Sequence, residues 1–139
     1  MQTVRHEDGT RYLLVKRSDE SSLVRDPATG DERYVPNDDL DAVDESPLAA
    51  SAGGLPDDVR RAVLACRDDR ALGLLVEFVD RGPLAVRTLL DSYGLCESDL
   101  HGVLSEFRAA GLLEQTTVAG ERGYAPTDAA SDAVDRLRG

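Results

Sequence analysis

Four side chains in this sequence are cysteine or histidine: Cys66, Cys96, His6 and His101. Thiolate or imidazole chemistry can come only from them. A tetrahedral metal site draws on ligand pairs at short spacing, with a second pair further along. Cys96 and His101 stand five residues apart with no second pair, so the sequence implies no metal. For His101 to act as a general base it needs a nucleophile and an orienting acid, and no Ser or Cys with such an acid stands out. Glu97 and Asp99 are two residues apart and face away from each other on a helix, so they make no acid/base pair. The glycines at 53–54 and 120–123 form no phosphate-cradling loop after a strand. We therefore expect no catalysis and no cofactor. What remains is a set of donors: Ser98, His101, Ser105 and Arg108 around Gly102, with Arg87 before them and Thr116, Thr117 and Arg122 after. Hydroxyls, imidazole and guanidinium donate to phosphate oxygens and base edges, and a glycine lets two backbones approach closely.

Those donors need elements to position them. Residues 1–36 are expected to form an antiparallel hairpin sheet, with strands at 3–6, 11–17, 23–25 and 33–36 joined by the turns Asp8-Gly9 and Asp26-Pro27-Ala28-Thr29-Gly30. So few strands need something to cover one face. Residues 37–54 read as a linker, dense in Asp, Ser and Gly. From Leu55 the period turns helical. Val59, Ala62, Val63 and Cys66 share one stripe, and Asp68-Asp69 caps a second helix with Leu72, Leu75, Val76 and Val79 on one stripe and Leu74 and Phe78 widening it, a breadth that implies central burial. A third helix is expected over 84–92, closed by Tyr93-Gly94-Leu95, and a fourth over 98–110 with Leu100, Val103, Leu104 and Phe107 inward. Strands at 112–117 and 123–126 bracket a hairpin tip. Thr127-Asp128 then caps a last helix with Ala130, Val134 and Leu137 inward. Both cysteines are expected in the core, as are Tyr12, Tyr34, Tyr93 and Tyr124, while His6 beside Glu7-Asp8 is expected to be solvated.

Gly94-Leu95 at the end of a turn, Leu100, Leu104 and Phe107 inward, Ala110-Gly111-Leu112-Leu113-Glu114 leaving the helix, then Tyr124 and Thr127, form a pattern. It resembles the winged helix-turn-helix of MarR-like and ArsR-like transcription regulators, over about residues 68–138. The resemblance implies that residues 55–139 form a winged helix-turn-helix; with the hairpin sheet read at 1–36 and the linker at 37–54, the chain is expected to be α+β. The resemblance also implies double-stranded DNA as partner, with helix 98–110 in the major groove, the wing 114–126 on the backbone, and a homodimer matching two half-sites. The DNA-binding residues it implies are Arg87, Ser98, His101, Gly102, Ser105, Arg108, Thr116, Thr117 and Arg122. That family usually carries basic side chains where Gly102 and Ser105 stand. The alternative is a winged helix that docks on another protein instead of DNA.

Charge bears directly on that choice. The chain has 16 basic and 27 acidic residues, a net charge of −11, and Lys16 is the single lysine among 15 arginines. An acidic surface with Arg in place of Lys resembles the proteomes of halophilic archaea. In molar salt the Debye length is about 3 Å, so self-repulsion is screened. From residue 97 to 126 two bases, Arg108 and Arg122, face five acids, a poor footprint for a ligand held through counterion release. At 139 residues and 41% apolar the chain is long and apolar enough to bury a core. Without a membrane-length apolar run or a signal-like start, it is expected in the cytoplasm, off the membrane.

Overall fold

The computed structural model describes all 139 residues, which divide into two units, Met1–Asp57 and Asp58–Gly139. The first is built on five strands, β1 (Gln2–His6), β2 (Arg11–Arg17), β3 (Ser21–Arg25), β4 (Glu32–Pro36) and β5 (Leu40–Ala42). They form one antiparallel sheet in the order β4-β3-β2-β1-β5. Both predicted turns are present. Gly9 and Gly30 take φ of 93° and 79°, and the Asp26 carboxylate accepts the Ala28 amide at 2.8 Å.

A chain-length argument shows that this sheet cannot be flat. Pro36 ends β4 and Leu40 opens β5, with only a turn of 3-10 helix (Asn37–Asp39) between them. Four residue steps reach at most about 14 Å, yet edge strands four spacings apart in a flat sheet would be about 19 Å apart. The sheet therefore curls, and Val4, Tyr12, Val24 and Val35 pack inside the curl with Leu14 and Leu40 against them. Helix α1 (Pro47–Ala52) packs on β1 and β2 and buries Ala50.

This corrects the expected linker. Residues 37–54 hold the 3-10 turn, β5 and α1. Backbone pairing of Arg5 with Asp41 and His6 with Leu40 uses no side-chain pattern, and Ser46 with Pro47 supplies a cap and first turn for α1.

The second unit contains α2 (Asp57–Ala65), α3 (Asp69–Arg81), β6 (Leu84–Ala85), α4 (Val86–Tyr93), α5 (Glu97–Ala109), β7 (Leu113–Val118), β8 (Glu121–Pro126) and α6 (Asp128–Arg138). The Asp68 carboxylate accepts the Ala71 amide at 2.9 Å to open α3, and Thr127 Oγ1 accepts the Ala130 amide at 3.4 Å to open α6. Gly94, at φ 62°, closes α4. Leu75, Phe78, Leu89, Leu100, Phe107, Leu112, Tyr124 and Val134 form a single core. Two ties hold the helices to it. Tyr93 donates to Glu77 at 2.8 Å while accepting from Arg81, fixing the end of α4 to α3. Arg138 grips both oxygens of Asp80 at 2.9 and 2.7 Å, fixing α6 to α3.

Several expectations need correcting here. The third helix begins at Val86, because Leu84 and Ala85 pair with Tyr124 and Gly123, so the expected two-stranded hairpin is part of a sheet of order β6-β8-β7. Leu72, Val63 and Leu137 are exposed, whereas Leu74, Leu75 and Phe78 on α3, Ala62 on α2, and Ala130 and Val134 on α6 are buried as expected, joined by Ala71 and Ala133. Tyr34 is exposed on the edge strand β4. Cys66 is half-buried and Cys96 exposed. Burial, with Asp68 nearby, pushes the Cys66 thiol up.

Candidate functional site

Helix α5 is the natural centre, because most of the singled-out donors lie on it. Its start is set by an unusual cap: Cys96 Sγ accepts the Asp99 amide at 3.4 Å, with Ser98 Oγ 3.5 Å away. Leu100, Leu104 and Phe107 are fully buried, and Val103 lies half-buried at the margin. Three apolar side chains at i, i+4 and i+7 leave the opposite side of the helix outward. Ser98, His101, Ser105 and Arg108 are exposed there. Gly102 is half-buried, and a Cβ added to it would sit 3.3 Å from Arg67 Nη2.

On a 3.6-residue period the outward crest is Ser98, Gly102, Ser105 and Ala109, with Glu97, His101 and Arg108 on one flank and Asp99, Glu106 and Val103 on the other. The first flank faces the β7–β8 hairpin across a groove of about 280 Å³ lined by Arg87, Glu97, His101, Arg122 and Tyr124. The Tyr124 ring, itself buried, organises this groove. Arg108 from α5 lies 5.7 Å from its centroid and Arg122 from β8 5.8 Å, and Arg122 donates to the Tyr124 hydroxyl at 2.7 Å. Each such contact contributes about 0.5 to 1 kcal/mol and holds a flexible guanidinium in place. Arg87 pairs with Glu121 at 3.5 Å with both side chains exposed.

The structure thus brings Arg87, His101, Arg108 and Arg122 to one groove beside Ser98 and Ser105. The two threonines separate. Thr117 pairs in register with Arg122, whereas Thr116 pairs with Gly123 and so points to the other face of the hairpin. Gly123 sits where β6 passes close by: an added Cβ would lie 2.6 Å from the Leu84 carbonyl oxygen. That close approach anchors the hairpin to the unit.

Two basic residues beside α5 escape sequence reasoning. Arg67 and Arg70 line a crevice of about 150 Å³ with Asp99 and Val103, on the flank of α5 away from the hairpin. Their only signal is the run of arginines at 60, 61, 67 and 70 in an acidic chain, which does not say what they lie against. A longer apolar groove of about 630 Å³ follows α3, lined by Leu72, Leu74, Val76, Tyr93 and Leu95.

In the first unit His6 is half-buried instead of solvated, its ring edge-on to Tyr12 with centroids 6.3 Å apart. The Asp8 amide donates to its Nδ1 at 3.2 Å, and one ring nitrogen lies within 4.8 Å of carboxylate oxygens of Glu7 and Asp39. No helix in either unit is long and apolar enough to cross a membrane.

No curated protein and no solved structure matches the chain. The family model that matches covers residues 1–138, and the chain accordingly belongs to DUF7346, a family of unknown function.

Proposed function

We propose that residues 58–139 form a winged helix-turn-helix that binds duplex DNA, and that the chain is a transcription regulator without catalysis. Helix α4, the Gly94 turn and α5 supply the helix-turn-helix, and the β7–β8 hairpin supplies the wing. In this reading α5 enters the major groove with Ser98, His101, Ser105 and Arg108 toward base edges, while the Arg67 guanidinium covers the place a Gly102 side chain would take, so Gly102 drops out as a point of close backbone approach. Arg87, Thr117 and Arg122 hold phosphates from the wing side, while Thr116 drops out of the contact face. The observation carrying the reading is that α5 buries Leu100, Leu104 and Phe107 while its opposite side stays exposed beside a groove edged by Arg87 and Arg122. A two-fold dimer fits regulators of this architecture, and exposed Val63 and Leu64 on α2 with Leu137 on α6 offer apolar surface for it. An acidic, Arg-for-Lys surface also fits a cytoplasm at molar salt, where hydrogen bonds and shape would carry more of the affinity than counterion release.

Chromatin immunoprecipitation with sequencing, followed by gel shift of the enriched fragments in molar KCl, tests the reading. Binding lost in Ser98→Ala, His101→Ala and Arg122→Ala combined supports it; binding unchanged in that variant refutes the assigned face. A second reading, a winged helix that docks on another protein, draws on the apolar groove along α3 and on Leu64, 76% exposed. It is favoured if enrichment depends on a co-purifying protein and the purified chain leaves DNA free.

A further inference from the structure

Counted in space, α5 has more arginines beside it than the linear sequence shows, and each of the two crevices flanking it holds two arginines with two acids. Between residues 97 and 126 only Arg108 and Arg122 are basic. Arg87 joins them from α4, and Arg67 and Arg70 join from the start of α3. These last two lie on the opposite flank of the helix from the hairpin. Arg67 is the residue before the α3 cap, and its Nη2 reaches to 3.3 Å of the place a Gly102 Cβ would take, on the outward crest of α5. Arg70, in the first turn of α3, lines the same crevice with Asp99 and Val103.

Both guanidiniums are exposed and neither is held in an ion pair. Of the neighbouring acids, Asp68 caps the Ala71 amide, Asp69 opens α3 and Asp99 lines the crevice, and none forms an ion pair with either arginine. An arginine left without a carboxylate partner keeps its charge and all five donors for an incoming anion.

The dimensions make the two-sided arrangement meaningful. A helix with its side chains is about 10–12 Å across, and the major groove it would fill is about 12 Å wide. Groups on opposite flanks of a seated helix therefore meet the two phosphate rows that bound the groove. Arg87, Arg108 and Arg122 stand toward one row, Arg67 and Arg70 toward the other. Gly102 contributes by having no side chain, which lets the Arg67 guanidinium lie over the crest.

Resting on the winged-helix reading above, we infer that Arg67 and Arg70 form a second phosphate clamp, on the α3 side of α5, opposing the clamp on the wing side. They read no sequence. They set how deeply and at what tilt α5 sits, and they supply charge that the helix itself lacks. Without them a duplex would be gripped along one edge only.

Fluorescence anisotropy of a labelled random-sequence duplex with the full chain, across a KCl series, tests the clamp. Each lost phosphate contact should lower the slope of log affinity against log salt by about 0.9. Arg67→Ala with Arg70→Ala should lower it by up to about 1.8 and weaken all sequences alike. Arg67→Lys with Arg70→Lys should restore the slope, because charge suffices at a phosphate. Circular dichroism confirms that the variants are folded. If the parent protein binds and Arg87→Ala with Arg122→Ala lowers the slope, but the Arg67/Arg70 alanine pair does not, the clamp is refuted and the winged-helix reading stands. If the parent protein leaves the duplex free at every salt concentration, both fall.

Discussion

Gly123→Ala is the sharpest test of how the hairpin is anchored. The new Cβ would lie 2.6 Å from the Leu84 carbonyl oxygen, 2.9 Å from Val118 Cγ2 and 3.1 Å from Ala85 Cα. Carbon-to-carbonyl contacts settle near 3.3–3.6 Å, so β6 and β8 must part by about 0.7 Å or more. Two of the three atoms are backbone and cannot swing aside. Overpacking of this kind costs about 1–3 kcal/mol, and strain on the Leu84–Tyr124 and Ala85–Gly123 pairing adds about 1 kcal/mol. The alanine recovers about 0.5–1 kcal/mol of backbone entropy, which leaves a net loss of about 2 kcal/mol. For a unit of this size that lowers the melting midpoint by about 8–16 °C. Circular dichroism at the helix band reads this unit almost alone, since the first unit contains only the short α1. Gly73→Ala is the matched control, because a Cβ there meets nothing within 4 Å in the middle of α3 and should raise stability by about 0.8–1 kcal/mol. A Gly123→Ala midpoint at or above that of the parent protein would refute the close-approach argument.

Three further outcomes follow from the second unit. Arg138 holds the Asp80 carboxyl below its ordinary 3.8, so the pair's contribution is complete above that value and disappears as pH falls through the lowered one. The midpoint difference between the parent protein and Arg138→Ala should be greatest above the ordinary carboxylate range and shrink as pH falls through the lowered Asp80 value; a difference constant with pH contradicts the assignment. A thiol reagent on the native protein should modify exposed Cys96 first and half-buried Cys66 only slowly, as peptide mapping by mass spectrometry would read; equal rates would contradict their placement. Gly102→Ala should raise the midpoint, because only the free end of Arg67 must yield, and a fall would mean that Arg67 is fixed where it lies.

The parts of this fold that are written locally could be read locally. Asp68 and Thr127 cap the helices they were expected to cap, and the Asp8-Gly9 and 26–30 turns close their hairpins. Elements that depend on distant backbone were illegible. β5 has three residues, only Leu40 packs on the core, and its partner β1 lies more than thirty residues earlier. β6 is two residues long and shows itself only through its pairing with Gly123. Leu72 and Val63 have the right period yet sit outside, while the alanines beside them at 71 and 62 are buried. At the candidate site the donors on α5 were readable from its period. The separation of Thr116 from Thr117 needed the hairpin register, and Arg67 and Arg70 needed three dimensions.

A net charge of −11 does not by itself argue against an anionic partner, because what an incoming phosphate meets is the local arrangement. The groove holds Glu97 and Glu121 among its basic residues, and Glu121 pairs with Arg87 at 3.5 Å. With both side chains exposed such a pair contributes about 0–1 kcal/mol, so exchanging the carboxylate for a phosphate costs little. Arg108 and Arg122 are bound to a neutral ring and hydroxyl, and Arg67 and Arg70 to no carboxylate at all, so four of the five arginines around α5 need surrender no ion pair. Rising salt weakens the repulsion from distant acids, because screening acts beyond about one Debye length, and it also weakens each phosphate contact by about 0.9 in the slope of log affinity against log salt. The acids that dominate the composition therefore lose influence on such a ligand as salt increases, and what the guanidiniums retain at high salt is their directed hydrogen bonding rather than their counterion release.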